Sequence, residues 1–202
     1  KAILAAAGDY LVFTDGDCIP RADFLAVHRV FATAGRFLSG GYCRIPMATS
    51  LAISPDDIVS GRCFELAWLV RHGLGPTRAW FKIVARPWAL DGVLNALTPV
   101  DRTFNGNNSS CFRGDAIRIG GFDERMAYGG EDREFGYRLA NAGIRPKLIR
   151  YSALCLHLDH ARGYRNDEAR RANEAIIAET PQRRLAWTDN GLPEMNRDNQ
   201  RR

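Results

Sequence analysis

The sequence predicts an α/β fold: a mixed, mainly parallel sheet flanked by helices and interrupted by one helical insertion. Three observations lead there. Short apolar runs such as "YLVFT", "FLSGGYCRI" and "LIRYSALCLHL" alternate with amphipathic helical stretches. The ends of these runs and helices are marked by Gly, Asp or Pro. Strands joined through helices pair in parallel, because such a connection brings the chain back in the same direction. A chain of 202 residues suits one domain with a real core, or one domain with a small appendage.

The elements follow in order. "KAILAAAGDY" reads as a helix end stopped by Gly8. "YLVFT" is a short apolar run of the kind that forms a strand covered on both faces. "DGD" ends it. "PRADFLAVHRVFATAG" is a helix with Pro20 near its start and Gly35 as its stop. "FLSGGYCRI" is a strand whose glycines predict a bulge or a close approach. Residues 54–98 form the helical insertion, opened by Ser54 as N-cap, Pro55 at the first helical position and Asp56 and Asp57 in the first turn. A second amphipathic stretch, Arg78 to Leu97, should break or kink at Pro87. "GGEDREFGYRLANAG" is a helix with Glu131 and Asp132 in its first turn, a Glu134–Arg138 pair and Gly143 closing it. "IRPKLIRYSALCLHLDH" gives one or two strands, "NDEARRANEAIIAE" a short helix, and "NRDNQRR" a frayed tail.

Composition narrows the function classes. The formal charge is +5 and the pI about 9.1, a mildly basic surface. From Gly61 to Leu90, Arg62, Arg71, Arg78, Lys82 and Arg86 face only Glu65, interleaved with Trp68, Trp80, Phe81 and Trp88. Such a segment suits a membrane surface or an anionic substrate, or else it is a solvated face over a packed aromatic core. Five cysteines without a C-x-x-C exclude a disulfide framework and a zinc ribbon, and fit free thiols in a reducing cytoplasm. No apolar run reaches the roughly 18 residues needed to span a bilayer. The sequence starts at Lys1 with no signal-like segment and reads as a piece of a longer chain.

Three short segments carry chemistry. Asp15 and Asp17 follow an apolar strand, and open α/β sheets bind ligands beyond the carboxyl ends of their strands. Two close carboxylates repel unless a cation or base lies between them. A hard divalent cation completed by substrate phosphates fits, while a plain Asp-Gly turn needs no ligand. An EF-hand loop does not fit, since Pro20 and Ala26 stand where Gly and Glu belong. Glu131 and Asp132 sit at a helix N-terminus, which keeps carboxylates ionised and able to act as a base, and acids there are also ordinary helix stabilisers. His157 and His160 lie near a strand end; an extended chain would point them to opposite faces, and a turn would bring both to one site. His28 and His72 sit in helical segments and are assigned no chemistry.

Together, "AAAGDYLVFTDGDCIP", "FNGNNSSCFRGDAIRIGGFDERMAYGGEDREFGYRLANAG" and "LCLHLDH" resemble nucleotide-sugar glycosyltransferases of the GT-A type, specifically glycosyltransferase family 2, with the galactosyltransferase C-terminal region a close relative. The resemblance implies a GT-A-like, Rossmann-like sheet, with residues 1–165 forming the C-terminal two-thirds of one domain and 166–202 a C-terminal helix and tail. It implies inverting, metal-dependent transfer of a sugar from a nucleotide-diphosphate sugar, a uridine diphosphate sugar favoured, to a saccharide or glycolipid acceptor. No nucleic-acid partner is implied. The setting would be bacterial surface polysaccharide or glycolipid synthesis in the cytoplasm, with peripheral contact at the inner membrane face. Asp17 would ligate Mn²⁺ or Mg²⁺ directly, and Asp15 would hold ribose or a bridging water as well as the metal. Asp132 would be the catalytic base and Glu131 would bind sugar hydroxyls. Gly106, Asn107 and Asn108 would floor the sugar site beside Tyr128, Gly129 and Gly130. Tyr128 stands where galactosyltransferases often carry tryptophan. His160 matches the late metal-ligand histidine, with His157 second. The first strands of such enzymes carry most base and ribose contacts, so weak or no turnover is expected from these 202 residues alone. Two other classes share these features: a carbohydrate- or anion-binding module of the same fold, and a metal-dependent nucleotidyl or phosphoryl transferase.

Overall fold

A computed structural model describes residues 1–85, 90–98, 103–161 and 167–193. Pro87, Arg86, Trp88 and the tail "NRDNQRR" lie outside the described residues. The chain opens with α1 (Ala2–Ala5), β1 (Tyr10–Phe13), β2 (Cys18–Pro20), α2 (Phe24–Phe31) and β3 (Arg36–Arg44). The helical region follows as α3 (Met47–Ala52), α4 (Pro55–Ser60), a 3₁₀ turn (Arg62–Phe64), α5 (Leu66–Arg71), α6 (Trp80–Val84) and α7 (Asp91–Leu97). Then come β4 (Ser109–Phe112), α8 (Arg113–Arg118), α9 (Glu131–Asn141), β5 (Arg145–His157) and α10 (Asp167–Gln182). Ser54 and Asp57 form a capping box with Pro55 at the head of α4, as the sequence predicts. Gly143, with φ +87°, follows the end of α9. The helix α1 stops earlier than expected, because Ala6 rather than Gly8 leaves the helical region.

The fold is mixed α/β, but its sheet is not mainly parallel. The strand order is β1-β4-β3-β5-β2. Only β3 and β5 pair in parallel; β1–β4, β3–β4 and β2–β5 are antiparallel. Two short strands run against β1, β3 and β5: β4, inserted between β1 and β3, and β2, which the link "TDGD" places on the far edge. Instead of turning back beside β1, the link carries the chain across the end of the sheet from one edge to the other, so β2 starts against the last residue of β5. The strand β1 is correspondingly an edge strand, with all four residues half-buried rather than covered on both faces.

Of the bulge or close approach predicted at the β3 glycines, the close approach is present, and the residues that bulge out lie in β5. The register of β3 against β5 jumps from Gly40↔Ile149 to Gly41↔Leu154. A Cβ on Gly40 would lie 1.9 Å from Asn108 Oδ1, and one on Gly41 would lie 2.1 Å from the Arg150 carbonyl oxygen. Both positions therefore require glycine for close approach. Three apolar clusters fill the layers. One, under α8 and α9, centres on Phe37, Phe104, Phe135 and Leu139. A second joins the sheet to the helical insertion through Cys43, Trp68, Leu69 and Leu156. A third holds α2 by Phe24, Val27, Leu38 and Ile149. Trp68 is thus a core residue, whereas Phe81 is exposed. All five cysteines are free thiols.

A buried polar chain ties α2 to the sheet. Asn108 donates from Nδ2 to the Gly41 and Ala153 carbonyls, so its Oδ1 accepts from His28 Nε2 at 3.0 Å. His28 Nδ1 then accepts from Ser110 Oγ at 2.7 Å, and Ser110 accepts from the Tyr10 hydroxyl at 2.8 Å. Burial holds the His28 imidazole neutral, lowering its pKa to about 4 against the opposing hydrogen bond to Asn108. The unfolded chain therefore binds a proton that the folded one refuses between about pH 6.5 and 4. Stability is intact above that window and falls as pH drops through it, by about 3 kcal/mol. In urea unfolding at about pH 7 and about pH 4, His28→Gln should show a loss smaller by roughly that amount. An equal loss in both proteins would contradict it.

Candidate active site and metal-binding cluster

Each functional side chain is placed by an element end. The strands β1, β3 and β5 all finish at one end of the sheet, and "TDGD" runs across it. The Cys18 amide bonds the Asp15 carbonyl at 3.2 Å and the Leu158 amide bonds the Asp17 carbonyl at 2.9 Å, fixing both aspartates beside the end of β5. After His157 the chain leaves strand geometry, and that turn brings both histidines to Asp17. His160 Nε2 is 2.8 Å and His157 Nε2 3.7 Å from Asp17 Oδ2. The two rings lie nearly parallel, 6.5 Å apart.

Opposite stands the N-terminus of α9. Gly129 and Gly130 take positive φ, +117° and +89°, which lets the chain enter the helix sharply. Glu131 Oε2 accepts the Gly129 N–H at 2.8 Å. Asp132 Oδ2 accepts the Gly106 N–H at 2.9 Å, and Oδ1 accepts the Arg133 N–H at 2.7 Å. A Cβ on Gly106 would be 3.7 Å from Asp132 Oδ2 and 3.8 Å from Asp15 Oδ1, so Gly106 lies between the two acids. The loop before α9 is held from behind by Asn173 of α10, whose Nδ2 donates to the Ala127 and Gly129 carbonyls at 3.0 and 2.9 Å.

These groups line one polar cleft of about 550 Å³, with Asp15, Asp17, Asn107, Tyr128, Gly129, Gly130, Glu131, Asp132, His157 and His160 in its wall. A more apolar groove of about 590 Å³, lined by Ile3, Leu11, Phe13, Phe122 and Gly106, meets the cleft at Asp15, Glu131 and Asp132. Asn108 is brought elsewhere. It is fully buried and its amide is spent on His28 and two carbonyls, so it holds the strands rather than flooring the cleft. Asn107 does reach the cleft, and its Oδ1 is buried with no hydrogen-bond partner among the described residues.

The electrostatics are those of crowded acids. Removal from water raises the Asp15 pKa above its usual value, and the charges of Asp17, Asp132 and Glu131 raise it further against the pull of His157. A cation would relieve that repulsion. The donor chemistry fits one. Asp15, Asp17, Cys18 and His157 offer ligand atoms that all lie within 4.8 Å of one another. Each histidine Nδ1 lies within hydrogen-bond distance of a backbone carbonyl, Leu158 for His157 and Ala161 for His160. For His157, donation there leaves an Nε2 lone pair on the Asp17 side, the arrangement that metal-ligating histidines use, whereas His160 at 2.8 Å donates Nε2–H to Asp17 Oδ2.

Sequence reasoning missed Cys18, Arg44, Arg133 and Asn173. Cys18 directly follows Asp17, so its position was visible, but its direction depends on β2 pairing with β5. Arg44 ends β3 beside His157 in the register, and it lines the cleft with Arg133. Asn173 lies on a helix remote in sequence, and nothing local marks it.

A family model described as the N-terminal domain of galactosyltransferase matches residues 99–161. That stretch contains Gly106, Glu131, Asp132, His157 and His160, and it supports a glycosyltransferase domain. No curated protein matches the chain.

Proposed function

We propose that this protein is a metal-dependent, inverting glycosyltransferase of the family 2, GT-A type. It moves a hexosyl unit from a nucleotide-diphosphate sugar, a uridine diphosphate sugar favoured, to a hydroxyl of a saccharide or glycolipid. The observation that carries this reading is the opposition of two acid sets across one cleft: Asp15 and Asp17 with two histidines on one wall, Asp132 on the other.

Bound Mn²⁺ or Mg²⁺ would supply positive charge for the diphosphate leaving group. Asp15, Asp17 and a histidine would hold it. Arg44, beside His157, and Arg133, beside Asp132, add cationic groups to the cleft for the remaining phosphate charge. Asp132 is oriented by two backbone N–H groups and retains carboxylate lone pairs to take the proton of an acceptor hydroxyl. Glu131 and Asn107 line the same cleft and supply polar groups for sugar hydroxyls. The setting we propose is surface polysaccharide or glycolipid synthesis at the cytoplasmic face of a bacterial membrane. Among the described residues no helix is long and apolar enough to cross a membrane. Val59, Phe81, Val84 and Leu97 on the helical insertion are exposed apolar side chains, and the same segment carries the exposed Arg62 and Arg71, which suits contact with an anionic bilayer. Failure to co-sediment with anionic vesicles at low salt would remove that part.

The core of the proposal is tested by calorimetry of uridine diphosphate binding. Affinity should require Mn²⁺ or Mg²⁺ and should fall at least about tenfold on chelation or in Asp17→Asn. Binding indifferent to both would overturn it, as would turnover of plain nucleotides in preference to sugar nucleotides.

A further inference from the structure

The donor set around Asp17 is not the all-oxygen set that Mg²⁺ requires. We propose that Cys18 is a ligand of the cation at this cluster, and that the site therefore selects a thiophilic divalent ion of the zinc and cobalt class over magnesium. The inference rests on the reading of this cluster as a cation site.

Geometry carries it. The strand β2 begins at Cys18, paired with His157 at the last residue of β5. That pairing sets the thiol and the imidazole at the same sheet end as Asp15 and Asp17, with all four ligand atoms inside 4.8 Å. Cys18 Sγ is 3.8 Å from Asp17 Oδ1. Oxygen and sulfur on one tetrahedral zinc are about 3.5 Å apart, given bonds of about 2.0 and 2.3 Å. His157 Nε2 is 3.7 Å from Asp17 Oδ2, again close to a coordination edge. Small side-chain rotations would therefore close a set of two carboxylates, one imidazole and one sulfur around a single ion. His160, at hydrogen-bond distance from Asp17, orients that carboxylate from outside the set.

Ligand chemistry gives the selectivity. Magnesium takes hard oxygen donors in near-octahedral geometry and keeps its waters, whereas thiolate and imidazole favour zinc and its neighbours. Cys18 is partly buried, its Sγ beside Asp17 Oδ1, while the neighbouring Cys155 thiol is turned to the Gly41 and Asn107 carbonyls. A coordinating thiol is deprotonated by the metal itself, so binding replaces the S–H bond by a sulfur–metal bond and releases one proton to solvent.

Cobalt(II) is the probe, titrated into reduced protein and followed by absorption. Wild type should show a thiolate-to-cobalt charge-transfer band. Cys18→Ser should lose the band while keeping its far-ultraviolet circular dichroism, and its preference for Zn²⁺ over Mg²⁺ should fall at least about tenfold. Cys155→Ser should keep the band, which separates the two neighbouring thiols. A band that survives in Cys18→Ser, or cobalt bound with no band at all, overturns the assignment of Cys18. If Asp17→Asn abolishes that bandless binding, the cation reading of the cluster stands without the thiol. Absence of Co²⁺, Zn²⁺ and Mn²⁺ binding by folded wild type overturns both.

Discussion

Asp132→Asn should lower sugar transfer by about 10²–10⁴-fold, the usual contribution of a positioned general base. The substitution removes basicity and little else. Asn can keep accepting the Gly106 N–H through its amide oxygen, and the shape of the group is unchanged. Its NH₂ must then face the Arg133 N–H, a local mismatch that costs part of one hydrogen bond but leaves α9 in place. Because Asp132 lies across the cleft from the aspartate pair, binding of Mn²⁺ and uridine diphosphate should persist. The expected signature is a fall in kcat with nucleotide affinity held. Loss of nucleotide binding together with turnover would make Asp132 a donor-binding group and the proposed mechanism wrong. Unchanged turnover would leave a binding module of the same fold as the better reading.

The readable and unreadable parts of this site divide on locality. "DGD", "GGED" and "HLDH" were visible because each function sits beside the turn or helix start that presents it. The close approach at Gly40 and Gly41 was visible because adjacent glycines in an apolar run have few other uses. The sheet's direction was not, since it depends on β4 inserting between β1 and β3 and on "TDGD" crossing the sheet rather than turning, and no residue type marks either path. Asn108 misled for a related reason. It adjoins Asn107 in a polar motif, yet strand alternation sends one side chain to the cleft and the other to the core, where Gly40 leaves room for it. His28 was passed over because a lone histidine in a helix gives no sign of its partners, Ser110 and Asn108, some 80 residues on.

The largest stability effect is expected at Glu134. Its carboxylate makes two 2.7 Å hydrogen bonds to Arg138, and both residues are about 1% exposed. The sequence predicts this pair one helical turn apart, where an exposed pair is worth at most about 0.5 kcal/mol. Arg170–Glu174 on α10 is such a case, with both side chains mostly in water. Burial changes the sign of the argument. Glu134→Ala leaves the Arg138 guanidinium in the core with no carboxylate, keeping the Ile119 carbonyl and the Phe135 ring as neighbours, and Thr180 of α10 loses its contact with Glu134. Breaking a buried pair in this way costs about 3–5 kcal/mol. For a chain of this size that lowers Tm by roughly ten degrees. The cost belongs to the orphaned charge rather than to the strength of the pair. Replacing both partners, Glu134→Leu with Arg138→Met, should therefore recover most of the loss. A double variant as unstable as Glu134→Ala would mean that the pair is needed for the α9–α10 joint itself. In that case the loop that Asn173 holds should loosen with it, and uridine diphosphate affinity should fall in step with stability.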